Sequence, residues 1–442
     1  MKDFCAVCGV YNHKKATFFT YLGLFSLQHR GQESSGIAVH KESKIVVYKN
    51  LGLVTQVFSK EILDALKANI AIGHNRYSTA GDKNIKNAQP IVYQNTALVH
   101  NGNLKNYLEL KKLCENLNIN LETSSDSEVI LKLYIYYKNQ YKDIKQALVK
   151  TLKLLKGAFS IIILDKDTMI VARDKWGFRP LVIGRKDNGY IFASETCALN
   201  VLDANFIREV LPAEVIILNK SSFENFSYDI PSPKQCIFEL IYFARTDSFI
   251  FQRSVYDVRE EMGRILAQES FVEADVVVPI PDSGVISALG FSKESKIPFE
   301  WGLLRSHYMG RSFINPTQEL RDLAVRLKLS PVKDVLKNKR VILIDDSLVR
   351  GTTAKRIINM VRKAGAKEIH LRISSPPIKH PCFYGIDTPT YEELIASKYS
   401  IEEIARRIGV DSLAYLSIDG LLRACKAKDE FCLACFNGDY VV

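Results

Sequence analysis

Residues 341–353, VILIDDSLVRGTT, join a short apolar run, two adjacent carboxylates and a compact loop in one continuous stretch. Val341 to Ile344 is β-branched and apolar, with basic residues before it and acids after it, which predicts a central parallel strand. Asp345 and Asp346 then fall at the strand's C-terminal end. The loop from Ser347 through Arg350, Gly351, Thr352 and Thr353 precedes the helical pattern TAKRIINMVRKAGA, so backbone amides and a helix N-terminus converge on one point. An anionic phosphate fits there, and the paired acids are acceptors for the two vicinal hydroxyls of an adjoining ribose. An acidic cap on an ordinary helix would account for one Asp and leave the rest of the run unexplained.

Outward from this stretch, VVVPIPDSGV at 276–285 repeats the strand, turn and helix order. IHLRIS at 369 supplies a third strand. Strands alternating with helical segments predict an open parallel sheet, an α/β arrangement. Before about residue 225 the chain reads differently. Short runs such as KIVVYKN, IAIGHNRYS, FSIIILD, MIVARD and YIFASE lie between helical patterns such as ATFFTYLGLFSLQHR and SEVILKLYIYYKNQ. These predict a layered α+β sandwich, helix on sheet on sheet on helix. The IPSPKQC stretch breaks the pattern and places a boundary near residue 230.

The 442 residues suit two or three domains, and 47% hydrophobic with 25% charged residues is ordinary for a globular protein. No apolar run reaches the length of a membrane span and no secretory leader is visible, so the expected location is cytoplasmic. The net charge of +11 is spread along the chain without interleaved aromatics, which argues against nucleic acid as a partner. Nine cysteines in a reducing compartment point to catalytic or metal-binding thiols rather than a disulfide framework.

IDDSLVRGTT resembles the signature of type I phosphoribosyltransferases. Cys5 with HRGQESSG, GHNRYSTAG, HNGN and TSSDSE resembles a class II glutamine amidotransferase, whose fold is the N-terminal nucleophile hydrolase sandwich. Together, from Cys5 to about Asn437, the chain is similar to the glutamine phosphoribosylpyrophosphate amidotransferases. The resemblance implies Cys5 as nucleophile, with its own α-amine as base, and Asn101 and Gly102 as the oxyanion hole. Arg76 would bind the glutamine carboxylate, Asp126 its ammonium, and Arg30 would belong to a loop closing over the glutamine. Residues 1–4 would be a propeptide, 5–230 the glutaminase and 231–442 the phosphoribosyltransferase.

For phosphoribosyl diphosphate the resemblance implies Asp345 and Asp346 on the ribose hydroxyls, and Ser347, Arg350, Gly351, Thr352 and Thr353 around the 5-phosphate. Asp282 and Ser283 would belong to the pyrophosphate loop, and Ser283, Asp345 and Asp346 would hold magnesium. Residues 305–330 read as a lid, with Tyr308 and Arg311 as contacts. The count of Cys236, Cys382, Cys432 and Cys435 suits zinc or a [4Fe-4S] cluster alike; the resemblance to the cluster-bearing branch, through QCIFELIYF, HPCFYGID and CLACF, implies the cluster. Purine nucleotides as inhibitors and a homotetramer are further implications.

Two rival functions have signatures of their own. Glucosamine-6-phosphate synthase shares the glutaminase half but lacks IDDSLVRGTT. A regulatory phosphoribosyltransferase-like binder predicts damaged motifs or an added helix-turn-helix, and neither is visible.

Overall fold

In the computed structural model, which describes residues 5–77, 85–306, 329–386, 388 and 390–442, the β-branched runs of the first half form two antiparallel sheets. Seven strands make one sheet, with Ala6–Tyr11 between Gly189–Ala193 and Ile70–Arg76. Six make the other, with Thr96–Leu104 paired along its length to Gly157–Asp165. Alternate side chains of the two sheets meet in a dry layer that includes Val7, Ile72, Val99, Ile162 and Val171. The helices Ala16–Ser26 and Thr196–Val201 cover the outer face of the first sheet, and Asp126–Tyr141 with Ile144–Leu154 cover the second. The expected αββα sandwich is therefore formed.

Beyond it lies a four-stranded parallel sheet in the order Val276–Pro279, Arg340–Asp345, Glu368–Ile373, Ser412–Tyr415. One face packs on helices Val255–Glu269 and Val285–Ser295, the other on Thr352–Lys363 and Ile401–Ile408. Gly263 and Gly290 let the first pair of helices approach closely: a Cβ at either would collide with a backbone carbonyl of the opposite helix. The fourth strand, SLAY, was not anticipated from the sequence, being only four residues long. QCIFELIYF contains a two-residue strand, Gln235–Cys236, then a single π-helical turn, Glu239–Phe243. Among the described residues no helix is long and apolar enough to cross a membrane.

Candidate active site

Cys5 stands immediately before the strand Ala6–Tyr11, and the register Ala6 opposite Asn75 brings it beside Arg76 at the end of the neighbouring strand. Both are buried. The Cys5 thiol lies 3.8 Å from the Tyr77 carbonyl oxygen, and the Cys5 carbonyl accepts from Arg30 Nε at 3.2 Å. Across the sandwich, Asn101 and Gly102 occupy the strand Thr96–Leu104. Asn101 is 3% exposed and its side-chain NH2 has no hydrogen-bond partner, an uncommon state for a buried donor. Gly102 has φ +153°, and any side chain there would collide with the Ala158 carbonyl, so only glycine fits. A strand that keeps an unspent amide donor beside an obligatory glycine is suited to receive a developing oxyanion.

The two sheets are joined at this level by His74, whose Nε2 donates to the His100 carbonyl at 3.0 Å. Asp126 opens the helix Asp126–Tyr141 and accepts from the Leu104 amide at 3.1 Å, at the end of the same strand. Burial works to raise its carboxyl, but His100, 3.6 Å away, and the Leu104 and Ser127 amides hold it below the ordinary value. It is thus an ionised acceptor suited to an ammonium. Ser34, opposite Arg76 in register, is a buried hydroxyl without a partner that the sequence reading missed.

In the parallel sheet, Asp345 ends the central strand, as its run of apolar neighbours required. The Asp346 amide donates to Asp345 Oδ1 at 2.9 Å, and the hydroxyls of Ser283 and Ser347 each donate to one Asp346 oxygen. Burial raises both carboxyls, and for Asp345 the charge of Asp346 adds to this. A cation or a set of hydroxyl donors would relieve that repulsion. Gly351, at φ +74°, turns the chain into the helix Thr352–Lys363, and a Cβ there would stand 2.8 Å from Ile395. Arg350 is engaged by Glu393, its Nε donating at 2.6 Å, so its guanidinium is already partnered at the loop's outer side. Asp282 is paired with Arg305. Tyr308 and Arg311, the expected lid contacts, lie outside the described residues, as do His307 and the segment 1–4. The antiparallel pair Leu303–Arg305 and Leu329–Pro331 brackets the expected lid.

A glutamine amidotransferase domain model matches residues 74–201. Over 99% of its length the chain is 49% identical to an amidophosphoribosyltransferase of Methanocaldococcus jannaschii, covering 97% of that protein. The chain belongs to the amidophosphoribosyltransferase family. The Bacillus subtilis amidophosphoribosyltransferase is 46% identical over the whole chain and 94% of its own length. A solved structure of the B. subtilis glutamine phosphoribosylpyrophosphate amidotransferase, complexed with ADP and GMP, superposes with TM-score 0.93, covering 99% of this chain and 97% of that one.

One expected role within the amidophosphoribosyltransferase assignment needs correction. Arg30 is not on a loop free to close over glutamine. It ends a 3-10 turn in which it alone is buried, and its donors are committed. Nη1 reaches Glu195 at 2.6 Å and Glu239 at 2.9 Å, Nη2 reaches Glu239 at 2.6 Å, and Nε holds the Cys5 carbonyl. All three charged side chains are fully buried, so releasing the guanidinium would leave Glu195 and Glu239 each short of a cationic partner in a dry interior. It links the Cys5 carbonyl to Glu239 in the second half of the chain.

Cys236, Cys382, Cys432 and Cys435 line one apolar cavity with Phe178, Phe238, Tyr384, Ile386 and Ala434. Cys236 and Cys432 are register partners in a short parallel pair, and the Tyr384 amide donates to Cys382 Sγ at 3.3 Å. Among the described residues no three ligand side chains gather closely enough for a single metal ion.

Proposed function

We propose that this chain carries out the amidophosphoribosyltransferase reaction with the following division of labour. Glutamine gives up its amide nitrogen as ammonia in the sandwich, and ammonia displaces pyrophosphate from 5-phosphoribosyl 1-diphosphate at the parallel sheet. The products are glutamate, pyrophosphate and 5-phosphoribosylamine, and the step is the first committed one of purine biosynthesis.

The Cys5 sulfur attacks the glutamine side-chain carbonyl, the oxyanion is received by Asn101 Nδ2 and the Gly102 amide, and the thiol proton passes by way of the α-amine to the departing ammonia. Water then hydrolyses the thioester. Arg76 binds the glutamine carboxylate and Asp126 its ammonium. The α-amine is available once the Phe4–Cys5 bond is cut, so residues 1–4 are read as a propeptide and the remainder is divided near residue 230. The observation that carries this reading is the unpartnered Asn101 amide beside Gly102, on a strand tied through His74 to the strand next to Cys5.

Asp345 and Asp346 take the ribose hydroxyls, while the loop 347–353 takes the 5-phosphate and the turn at Asp282 and Ser283 the diphosphate. Two adjacent carboxylates with a serine fit magnesium that is completed by substrate phosphates, and Ser283, Asp345 and Asp346 would hold it. When bound it would neutralise charge on the leaving pyrophosphate. Tyr308 and Arg311 remain proposed lid contacts. The four thiols that line the cysteine cavity would hold the [4Fe-4S] cluster implied by the resemblance. Such a cluster would act as a covalent brace. Inhibition by purine nucleotides is proposed because the B. subtilis enzyme was solved with ADP and GMP. A homotetramer and a cytoplasmic location complete the reading.

The test is Cys5→Ala. Glutamine-driven phosphoribosylamine formation should fall by about 10⁴-fold or more, while the ammonia-driven reaction persists. Loss of neither would refute the nucleophile, and absence of both in the unaltered, processed enzyme would favour a regulatory binder.

A further inference from the structure

Three consecutive residues that follow Cys382 touch the glutaminase machinery, although in sequence they belong to the other half. The Phe383 carbonyl accepts from Asn103 Nδ2 at 2.9 Å, one residue beyond the Asn101 and Gly102 pair. The Tyr384 carbonyl accepts from Arg179 Nη2 at 3.1 Å. Gly385, at φ +95°, lies so near the same strand that a Cβ on it would stand 3.4 Å from the Gly102 carbonyl carbon, 3.5 Å from Asn103 Cβ and 3.0 Å from Arg179 Nη2.

A second path leads to the nucleophile. Arg179 Nη1 donates to Glu239 at 3.0 Å, Glu239 grips Arg30 with both oxygens, and Arg30 holds the Cys5 carbonyl. The loop itself is held by the Tyr384 ring stacked on Phe178, with centroids 4.4 Å apart, and by its start at Cys382 in the cysteine cavity. Arg179 is 2% exposed and its Nε has no partner. A guanidinium kept there at that cost is committed to a geometry rather than to general cohesion.

We propose that the loop 382–386 is a positioning element of glutamine hydrolysis. It buttresses the oxyanion strand directly and the Cys5 backbone through Arg179, Glu239 and Arg30. Asn103 and Arg179 act as positioning residues and do not touch glutamine. The inference rests on the reading of Cys5, Asn101 and Gly102 given above. Because oxyanion stabilisation depends on donor placement to a fraction of an ångström, displacement of the loop reaches the transition state before it reaches glutamine binding.

The experiment uses the full chain with Asn103→Ala and, separately, Arg179→Gln. Three quantities are measured: glutamine-driven and ammonia-driven phosphoribosylamine formation, and inhibition by glutamate γ-semialdehyde. The Cys5 thiol adds to that aldehyde, and the resulting oxygen sits where the oxyanion would. Expected for both variants is an aldehyde affinity and a glutamine kcat lowered in parallel by about 10- to 100-fold, with glutamine KM and the ammonia-driven rate within about twofold. Unchanged aldehyde affinity, or equal falls in the glutamine- and ammonia-driven rates, would overturn the proposal. Should Arg179→Gln not fold, Asn103→Ala alone decides, since it removes one hydrogen bond near the surface. A Cys5→Ala control that kept glutamine-driven turnover would instead refute the underlying reading.

Discussion

The proposed glutamine site and the proposed diphosphate site solve opposite problems with the same chain. In the sandwich, Cys5, Arg76, Asn101 and Gly102 sit on or next to strands that neighbouring strands fix in register, and most of their surroundings are buried. In the parallel sheet, the proposed binding groups lie at the last residue of the central strand and in the loops beyond the strand ends. There the carboxyls of Asp345 and Asp346 are raised by burial and, for Asp345, by proximity to its neighbour. Covalent chemistry on an amide demands a nucleophile and an oxyanion hole placed in advance, so rigid sheet positions suit it. Binding a polyanion with its cation demands charges that are underused until the ligand arrives, and loops at strand ends supply them. What joins the two designs is a buried set of ion pairs rather than a broad apolar seam alone.

That junction offers the largest expected effect. Glu239→Gln would leave Arg30 and Arg179 sharing less negative charge in a dry interior, and should destabilise the protein by about 3–5 kcal/mol, measured by denaturant unfolding. A loss below about 1 kcal/mol, typical of an exposed pair, would show that the halves do not depend on it. Asn101→Ala should lower glutamine kcat by about 10²- to 10³-fold with little change in KM, the sign of an interaction made in the transition state. A pure KM effect would place Asn101 in substrate binding and erase the contrast. Asp346→Asn should weaken the phosphoribosyl step by about 10²-fold, through an added magnesium and diphosphate requirement, with glutamine hydrolysis nearly intact. Equal loss of both reactions would mean that the two sites are not separable.

The smallest effect concerns acid. Asp126 titrates below its ordinary value of 3.8, so its ionised form stabilises the fold fully above that value. That contribution disappears as pH falls through the lowered pKa. The stability advantage of the parent over Asp126→Asn, present at pH 6, should therefore narrow at the acid end. A gap constant from pH 6 to below 3 would contradict the ionised carboxylate.

The contrast also governs how much could be read in advance. Asp345, Asp346 and the loop after them are contiguous, so their chemistry and their strand were legible together. The β-branched runs FSIIILD and VILID announced strands that the structure contains as Gly157–Asp165 and Arg340–Asp345. SLAY gave too short an alternation to stand out. Arg30 was misread because HRGQ shows only a basic residue beside glycine. The acids that bury it, Glu195 and Glu239, lie 165 and 209 residues away, and no local pattern could announce them. Asn103, Arg179 and Gly385 were invisible for the same reason: their importance lies in which backbone they touch. The cysteines were legible as a count, and only the fold assembles them around one cavity.

The imidazole that bridges the two sheets has a consequence for the working range of the glutaminase half. Burial and the nearby Arg76 charge push His74 down to about 3, although the His100 carbonyl opposes them. The ring therefore stays neutral through mild acidity, and its single N–H remains pledged to that carbonyl. A residue type often used as a sensor of pH acts here as a pin that ignores it, so the bridge between the two sheets holds unchanged through the range in which an ordinary imidazole would gain a charge.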